Sequence, residues 1–230
     1  MIHRGNVRHA LVASLFVALV TALLAVHLAT RARGADDSRC ERFETASGAR
    51  AQVVTGSGAR VVVVGDSYSA GLGLDAPGDS WPARLDGTVH VAGFSGSGFS
   101  AGASECVGVS FGERAAEAVR RGADLVVVEG GLNDYDQPED AIREGFAQLL
   151  SELRGHRVVI VGPPSAPSRA AAVPRVDHLL AELAEQYDAT YVWTSGWTLP
   201  YLEDGLHLTP AGHRTFGDAV ARAIATLPTP

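Results

Sequence analysis

The sequence predicts an α/β domain with three layers, in which helices cover both faces of a mostly parallel sheet of about five strands. Two observations lead to this prediction. Short runs of β-branched residues alternate along the chain with segments of helical periodicity, the pattern of strands joined by crossover helices. The strand runs are also apolar throughout, which is typical of strands buried on both faces.

Each element of this fold follows from a local pattern. Two helices are predicted where apolar side chains recur at helical spacing, in residues 142–153 and 176–187. A last helix is predicted to begin after Thr209 as N-cap, with Pro210 at its first position, and to end near Ala225. The five strands are predicted at residues 61–65, 89–93, 124–130, 157–162 and 189–193.

An apolar segment precedes this domain. Residues 10–29 are apolar apart from one Ser, one Thr and one His, and as a helix they are long enough to cross about 30 Å of hydrocarbon. Arg4 and Arg8 precede the segment, a basic flank typical of an N-terminus that stays in the cytoplasm. We therefore predict that residues 1–35 form a signal anchor or a signal peptide. The protein would then be anchored to the membrane facing outside the cytoplasm, or secreted if the segment is cleaved.

The remaining chain is divided into a linker at residues 36–58 and one domain at residues 59–230. The net charge of the whole chain is -7, and residues 1–35 contain four Arg and no acidic residue. The rest of the chain therefore carries 15 basic and 26 acidic residues. Such an acidic domain is a poor partner for nucleic acid, because neutralising phosphates requires clustered Lys and Arg.

Two cysteines, Cys40 and Cys106, follow the apolar segment. Outside the cytoplasm, two thiols in one domain are more often bridged than free, so a disulfide between them is predicted. Neither cysteine has a second Cys or His at the spacing of a zinc site. No metal site is therefore predicted.

Four short blocks at the ends of predicted strands carry the residues suited to chemistry. In residues 65–69, Ser67 follows a strand and a glycine, so it is exposed on a sharp turn and would be a nucleophile if a base is near. The second block, residues 93–98, is rich in glycine, and bare backbone N–H groups suit an oxyanion hole or a phosphate cradle. Residues 96–101 also resemble a dinucleotide fingerprint, although they follow the second strand and open no predicted helix.

The third and fourth blocks contain an amide and a histidine. Asn133, after the third strand, has amide hydrogens suited to an oxyanion. Asp204 precedes His207 by three residues and can accept its Nδ1 proton, which leaves Nε2 as a base. Taken alone, each block also reads as an ordinary loop. Their order along the chain makes the catalytic reading more specific.

The four blocks together resemble the SGNH (GDSL-type) hydrolases over about residues 60–225. This resemblance implies Ser67 as nucleophile, with Asp204 and His207 completing a catalytic triad and no cofactor or metal. It also implies an oxyanion hole built from the N–H of Ser67, the N–H of Gly96 and the side chain of Asn133. The sequence departs from the family pattern twice. A Tyr follows Ser67 where the family name has Leu, and the asparagine often found before the second-block glycine is missing, which leaves Gly93 as an alternative to Gly96.

These features predict an exported serine esterase that hydrolyses carboxylic esters, either lipid or acetylated carbohydrate, through an acyl-enzyme on Ser67. Its partners would be a small-molecule or polymeric ester and, through residues 10–29, the membrane. Trp193 and Trp197 precede the fourth block and are candidates to line an acyl or sugar pocket. The alternatives are an extracellular glycan-binding module without catalysis on the same fold, and a dinucleotide-binding protein.

Overall fold

The computed structural model of the protein describes the backbone of residues 3–227, with side chains at residues 17–28, 31 and 34–227. It divides into two compact units, Met1–Arg42 and Phe43–Pro230. The side chains at positions 10–16 and 29 of the predicted apolar segment lie outside the described residues.

Helix α1 spans His3–Ala51. Its residues up to Arg42 belong to the first unit, and its remaining residues belong to the second. The side chains of residues 17–28 are exposed. Among the described residues, no helix combines the length and the apolar character that a membrane span requires. Entry of residues 10–29 into a membrane therefore stays a prediction.

The structure differs from the predicted linker in its secondary structure. Residues 36–51 are helical and form the end of α1. Ala, Arg and Glu are strong helix formers, and in this stretch they outnumber Gly and Ser. An ion pair between Asp36 and Arg39, three residues apart, lies on the same helix. Composition alone did not reveal this continuation of the helix.

The second unit is built on one parallel sheet with the strand order β2-β1-β3-β4-β5. The first strand lies near the centre and the chain winds outward from it in both directions, so the carboxyl ends of all strands share one edge. The predicted α/β fold and its five strands are confirmed. The strands are β1 (Arg60–Gly65), β2 (Thr88–Gly93), β3 (Leu125–Glu129), β4 (Val158–Val161) and β5 (Thr190–Val192).

Helices cover both faces of the sheet. After α1 they are α2 (Ser67–Ala70), α3 (Phe111–Val119), α4 (Glu139–Glu152), α5 (Val173–Gln186) and α6 (Pro210–Ala225). Helix α6 begins as predicted, because Thr209 Oγ1 accepts a hydrogen bond from the N–H of Gly212 at 3.0 Å. Helix α3 was not predicted, since few of its residues are large and apolar. Its capping box, Ser110 with Glu113, is the sequence signal that could have revealed it.

Two apolar clusters fill the space between the helices and the sheet. Alternate residues of β1 enter different clusters: Val62 and Val64 enter one, and Val61 and Val63 enter the other. This division explains why the strand runs are apolar throughout. The larger buried side chains of the first cluster are Phe99, Phe111, Ile142, Phe146, Leu149 and Leu180, and those of the second are Tyr68, Trp81, Leu132, Leu208 and Phe216.

Both cysteines of the chain are oxidised in this structure. Cys40 lies in the first unit and Cys106 in the second, and each is disulfide-bonded.

Candidate active site

Ser67 lies at the carboxyl end of β1, on the turn into α2. Its preceding residue, Asp66, is the N-cap of α2, and Asp66 Oδ1 accepts the N–H of Tyr68 at 2.9 Å. The turn is tight: a Cβ atom at Gly65 would lie 2.1 Å from the hydroxyl oxygen of Ser69. Ser67 is 6% exposed. The local sequence thus holds this serine on a sharp turn at the edge where ligands bind to parallel sheets.

The two candidate glycines of the second block have different roles. Gly93 ends β2 and packs against α2, since a Cβ atom there would lie 2.5 Å from the backbone nitrogen of Ala70. Gly96 has a φ of +84°, a left-handed conformation that favours glycine. Among the residues that the structure describes, its N–H donates no hydrogen bond. Gly96 is therefore the better candidate for an oxyanion donor.

Asn133 connects the first block to the second. Its Nδ2 donates to the backbone oxygen of Ser97 at 2.9 Å and to Asp66 Oδ2 at 3.2 Å. Ser97 follows Gly96 and Asp66 precedes Ser67, so the three predicted oxyanion residues are brought to one place. Both amide hydrogens have acceptors in this arrangement, and the bond to Asp66 is the longer one.

The fourth block forms the expected carboxylate–imidazole pair. His207 Nδ1 and Asp204 Oδ2 lie 2.6 Å apart, and Asp204 Oδ1 accepts the N–H groups of Leu206 and His207, each at 2.9 Å. Partial burial opposes ionisation, but these hydrogen bonds lower the pKa of Asp204 to about 2. The carboxylate is therefore ionised at neutral pH. With Nδ1 directed at it, the Nε2 atom of His207 is the basic nitrogen.

The turn that holds Ser67 and the loop that holds Asp204 and His207 are in contact. The hydroxyl of Tyr68 donates to the backbone oxygen of Leu206 at 2.5 Å. This bond joins the residue after Ser67 to the residue before His207. No hydrogen bond links Ser67 Oγ to His207 Nε2 within the described part of the chain. Such catalytic bonds are often loose before substrate binds.

Three buried carboxyl groups lie within these blocks or next to them in the chain, at Asp66, Glu129 and Asp134. Burial is the main cause that raises their pKa values, to about 7 for Asp66, to about 6 for Asp134 and well above the ordinary value for Glu129. Glu129 Oε2 accepts the hydroxyl of Ser69 at 2.7 Å and the indole N–H of Trp81 at 3.3 Å. Sequence analysis missed Glu129, although an acid that ends the apolar run at residues 125–128 was a visible signal.

A half-buried arginine also supports the site. Arg114, on α3, donates to four acceptors, which are the backbone oxygens of Gly65, Ala92 and Val109 and the hydroxyl of Ser97. These acceptors belong to the ends of β1 and β2 and to the loops around the second block. Burial lowers the pKa of Arg114 to about 10, so it still carries its charge at neutral pH. Sequence analysis missed Arg114 together with its helix.

The two predicted tryptophans are in different surroundings. Trp193 is 52% exposed and lines a groove of about 580 Å³ together with His178 and Glu182. Trp197 instead packs against Phe216 in the second apolar cluster, with ring centroids 5.7 Å apart. Trp193 is therefore the more accessible of the two, and Trp197 is half-buried.

Two other ligand types have little support from the described residues. No three His, Cys, Asp or Glu side chains among them are grouped so that they could hold a metal ion. Residues 96–101 lead into the three-residue 3₁₀ turn Ala101–Ala103. A dinucleotide fingerprint requires a full helix at that point.

The parallel sheet and the strand-end blocks define a hydrolase of the SGNH type. The model of the GDSL-like Lipase/Acylhydrolase family matches residues 63–215. The chain therefore belongs to this family. Membership of this family supports hydrolysis of carboxylic esters. A search of curated protein sequences finds no match.

Several solved structures share the fold. A carbohydrate acetylesterase from Sinorhizobium meliloti superposes with a TM-score of 0.60 at 19% identity, over 74% of this chain and 100% of that one. The native M. smegmatis aryl esterase gives a TM-score of 0.61 at 18% identity, again over 74% of this chain and 100% of that one. A second S. meliloti protein, described as a carbohydrate acetylesterase family member, gives 0.56 at 21% identity, with 73% and 100% covered. At these identities the likeness establishes the fold.

Proposed function

We propose that the protein is a serine esterase that hydrolyses carboxylic esters through an acyl-enzyme on Ser67. The observation that carries the proposal is the pair formed by Asp204 and His207, with Nδ1 directed at the carboxylate, on a loop that is hydrogen-bonded to the turn holding the serine. This is the arrangement that a serine needs in order to lose its proton as it attacks.

The reaction proceeds in two acyl transfers. Ser67 Oγ attacks the ester carbonyl carbon while His207 Nε2 takes its proton, and the imidazolium then protonates the departing alcohol. Water attacks the acyl-enzyme in the same way, and the carboxylic acid leaves as Ser67 recovers its proton. Asp204 fixes the tautomer of His207 and stabilises the imidazolium through both steps.

The negative charge on the tetrahedral intermediate is bound by the N–H of Ser67, the N–H of Gly96 and the amide of Asn133. Loss of one such donor typically costs about 3 to 4 kcal/mol of transition-state stabilisation. Asn133 has both hydrogens engaged before substrate binds. The oxyanion would therefore replace Asp66, the more distant acceptor, while the bond to Ser97 keeps the amide in place.

The proposed substrates are lipid esters or acetylated carbohydrates, and the protein is proposed to act outside the cytoplasm. The solved structures with this fold include a carbohydrate acetylesterase and an aryl esterase, which supports an ester substrate such as an acetylated carbohydrate. The apolar segment 10–29 with its basic flank supports export, either as an anchored or as a secreted protein. The oxidised state of Cys40 and Cys106 also supports a location outside the cytoplasm.

A fluorophosphonate probe tests the chemistry. Wild type should be labelled and Ser67→Ala should not, whereas Ser165→Ala should be labelled like wild type. Ser165 is a matched control because its exposed hydroxyl donates only to the backbone oxygen of Ser195 within the described residues. Absence of labelling together with absence of p-nitrophenyl acetate hydrolysis would reject the proposal. Comparing acyl chains from acetate to palmitate with acetylated xylan and chitin fragments then identifies the substrate class.

One observation favours the second candidate, a glycan-binding module without catalysis. The indole of Trp193 is exposed in a groove beside Glu182, and an exposed aromatic ring with nearby acceptors suits the apolar face and hydroxyls of a sugar. This candidate predicts the same glycan affinity for wild type and Ser67→Ala, with no ester turnover by either protein.

A further inference from the structure

Tyr68 occupies a position where this chain departs from the leucine of the family name. It follows Ser67 directly in α2. Its hydroxyl donates to the backbone oxygen of Leu206 at 2.5 Å, and Leu206 directly precedes His207. Leucine has no hydroxyl, so a chain with the family's residue here cannot make this bond.

The ring of Tyr68 is held rigidly. It is 1% exposed and packs edge to face against His213 and Phe216 of α6, with centroids 6.1 Å and 6.0 Å apart. Burial is the main cause that raises the pKa of Tyr68 far above its ordinary range, with a further contribution from the nearby Tyr201, Asp66 and Glu129. The phenol therefore keeps its proton and remains a donor at neutral pH.

The loop that carries Asp204 and His207 is otherwise bonded to itself and to Ser168, whose N–H and hydroxyl donate to the backbone oxygen of Gly205 at 3.0 Å and 3.1 Å. The N–H of Leu202 donates to the oxygen of His207 at 2.7 Å, and the N–H of Gly205 donates to the oxygen of Leu202 at 3.0 Å. The internal bonds fix the shape of the loop and the bonds from Ser168 hold Gly205, but none of them runs to α2, which carries Ser67. Within the described residues, the Tyr68 hydroxyl makes the one hydrogen bond from α2 to this loop.

We propose that Tyr68 is a positioning residue that holds His207 Nε2 within reach of Ser67 Oγ by tying the histidine loop to the nucleophile helix. The role rests on the proposed esterase function. Tyr68 takes no part in proton transfer: it acts through Leu206, and the charge on the Asp204–His207 pair does not depend on it. Loss of the bond therefore leaves the base intact but less often aligned with the serine.

The test is Tyr68→Phe, which keeps the ring and removes only the hydroxyl. Tyr191→Phe is the matched control. The Tyr191 hydroxyl also donates to a buried residue, Asp177, but Tyr191 lies on β5, away from Ser67 and His207. Tyr68→Phe removes the bond to Leu206, and Tyr191→Phe removes a donation shared by two oxygens of Asp177, so the control variant should lose at least as much stability as the test variant. Steady-state kinetics with p-nitrophenyl acetate are measured from pH 5 to 9 for wild type and both variants.

For Tyr68→Phe we expect kcat to fall by about threefold to tenfold, the factor that corresponds to the net value of one hydrogen bond. KM should not change, because the hydroxyl does not touch substrate, and the midpoint of the acidic limb of the pH profile should stay where it is. Tyr191→Phe should keep the kcat of wild type. The proposal is wrong if kcat is the same in both variants, or if the loss in Tyr68→Phe follows from a displaced acidic limb.

A second measurement does not depend on activity. Hydrogen–deuterium exchange of the peptide covering residues 202–208 should become faster in Tyr68→Phe and remain unchanged in Tyr191→Phe, because only the first variant releases this loop. Equal exchange in wild type and Tyr68→Phe would overturn the proposal even for an active enzyme. Failure of wild type to react with the fluorophosphonate probe would instead reject the esterase function, while the exchange result would still decide whether the tie exists.

Discussion

Replacing Asn133 by Ala separates the catalytic role of this amide from its structural role. If Asn133 donates to the oxyanion, the variant loses one of three donors, which corresponds to a fall in kcat of about 100- to 1000-fold. KM for p-nitrophenyl acetate should change little, because the donor acts mainly on the transition state. The oxygens that Asn133 contacts, on Ser97 and Asp66, also lose a donor, and an unsatisfied buried group costs about 1 to 3 kcal/mol of stability.

The assay is steady-state hydrolysis of p-nitrophenyl acetate with a urea unfolding curve for each protein. Asn133→Asp is a useful companion, since it keeps the size of the side chain but brings a carboxylate against Asp66. It should be less stable than Asn133→Ala at pH 8. A fall in kcat of less than about tenfold in Asn133→Ala, alongside the expected loss of stability, would show that Asn133 only braces the two loops. The assignment of the oxyanion hole would then be wrong.

Three further predictions concern the surroundings of the site. Arg114→Met removes all four hydrogen bonds of a half-buried guanidinium and leaves their acceptors without this donor, so urea unfolding should show a loss of about 3 kcal/mol or more. Arg120→Met, which removes an exposed ion pair with Glu117, should cost about 0.5 kcal/mol or less. Glu129→Gln should gain stability relative to wild type as the pH rises from 5 to 8. Burial raises the pKa of Glu129 in the folded protein, so the unfolded state releases its proton first and wild type is destabilised with rising pH. A difference in free energy of unfolding between the two proteins that is the same at pH 5 and pH 8 would contradict this. Trp193→Ala should slow the hydrolysis of acetylated polysaccharide and leave p-nitrophenyl acetate turnover unchanged. An equal loss of activity on both substrates would show that the groove at Trp193 does not bind the polysaccharide.

The strands and the order of the blocks could be predicted because they depend on local patterns. A run such as residues 61–65 is buried on both faces, and its composition shows this directly. The carboxyl ends of parallel strands share one edge, so Ser67 and Asn133 could be expected near each other before any coordinates. The carboxylate–imidazole pair is equally local, since Asp204 and His207 are three residues apart.

The supports of the site could not be predicted in this way. Arg114 contacts the ends of two strands from a helix whose apolar side chains are few, and its partners are mostly backbone oxygens, which leave no mark in the sequence. The choice of Gly96 over Gly93 depends on a backbone angle and on the packing of α2. The sequence gives no sign that Tyr68 differs in role from leucine, because the hydrogen bond from its hydroxyl to the backbone oxygen of Leu206 joins residues that are distant in the chain. In each case the deciding contact lies between segments that are distant in the chain.

The central claim is that Ser67 becomes acylated, and intact-protein mass spectrometry tests it most directly. Rapid quenching of wild type with excess p-nitrophenyl acetate should give a protein heavier by one acetyl group, with the added mass in the peptide that contains Ser67. His207→Ala should give no such species on the same timescale, and Ser67→Ala should give none at any time. Ester hydrolysis without an adduct on Ser67, or an adduct on another residue, would contradict the account.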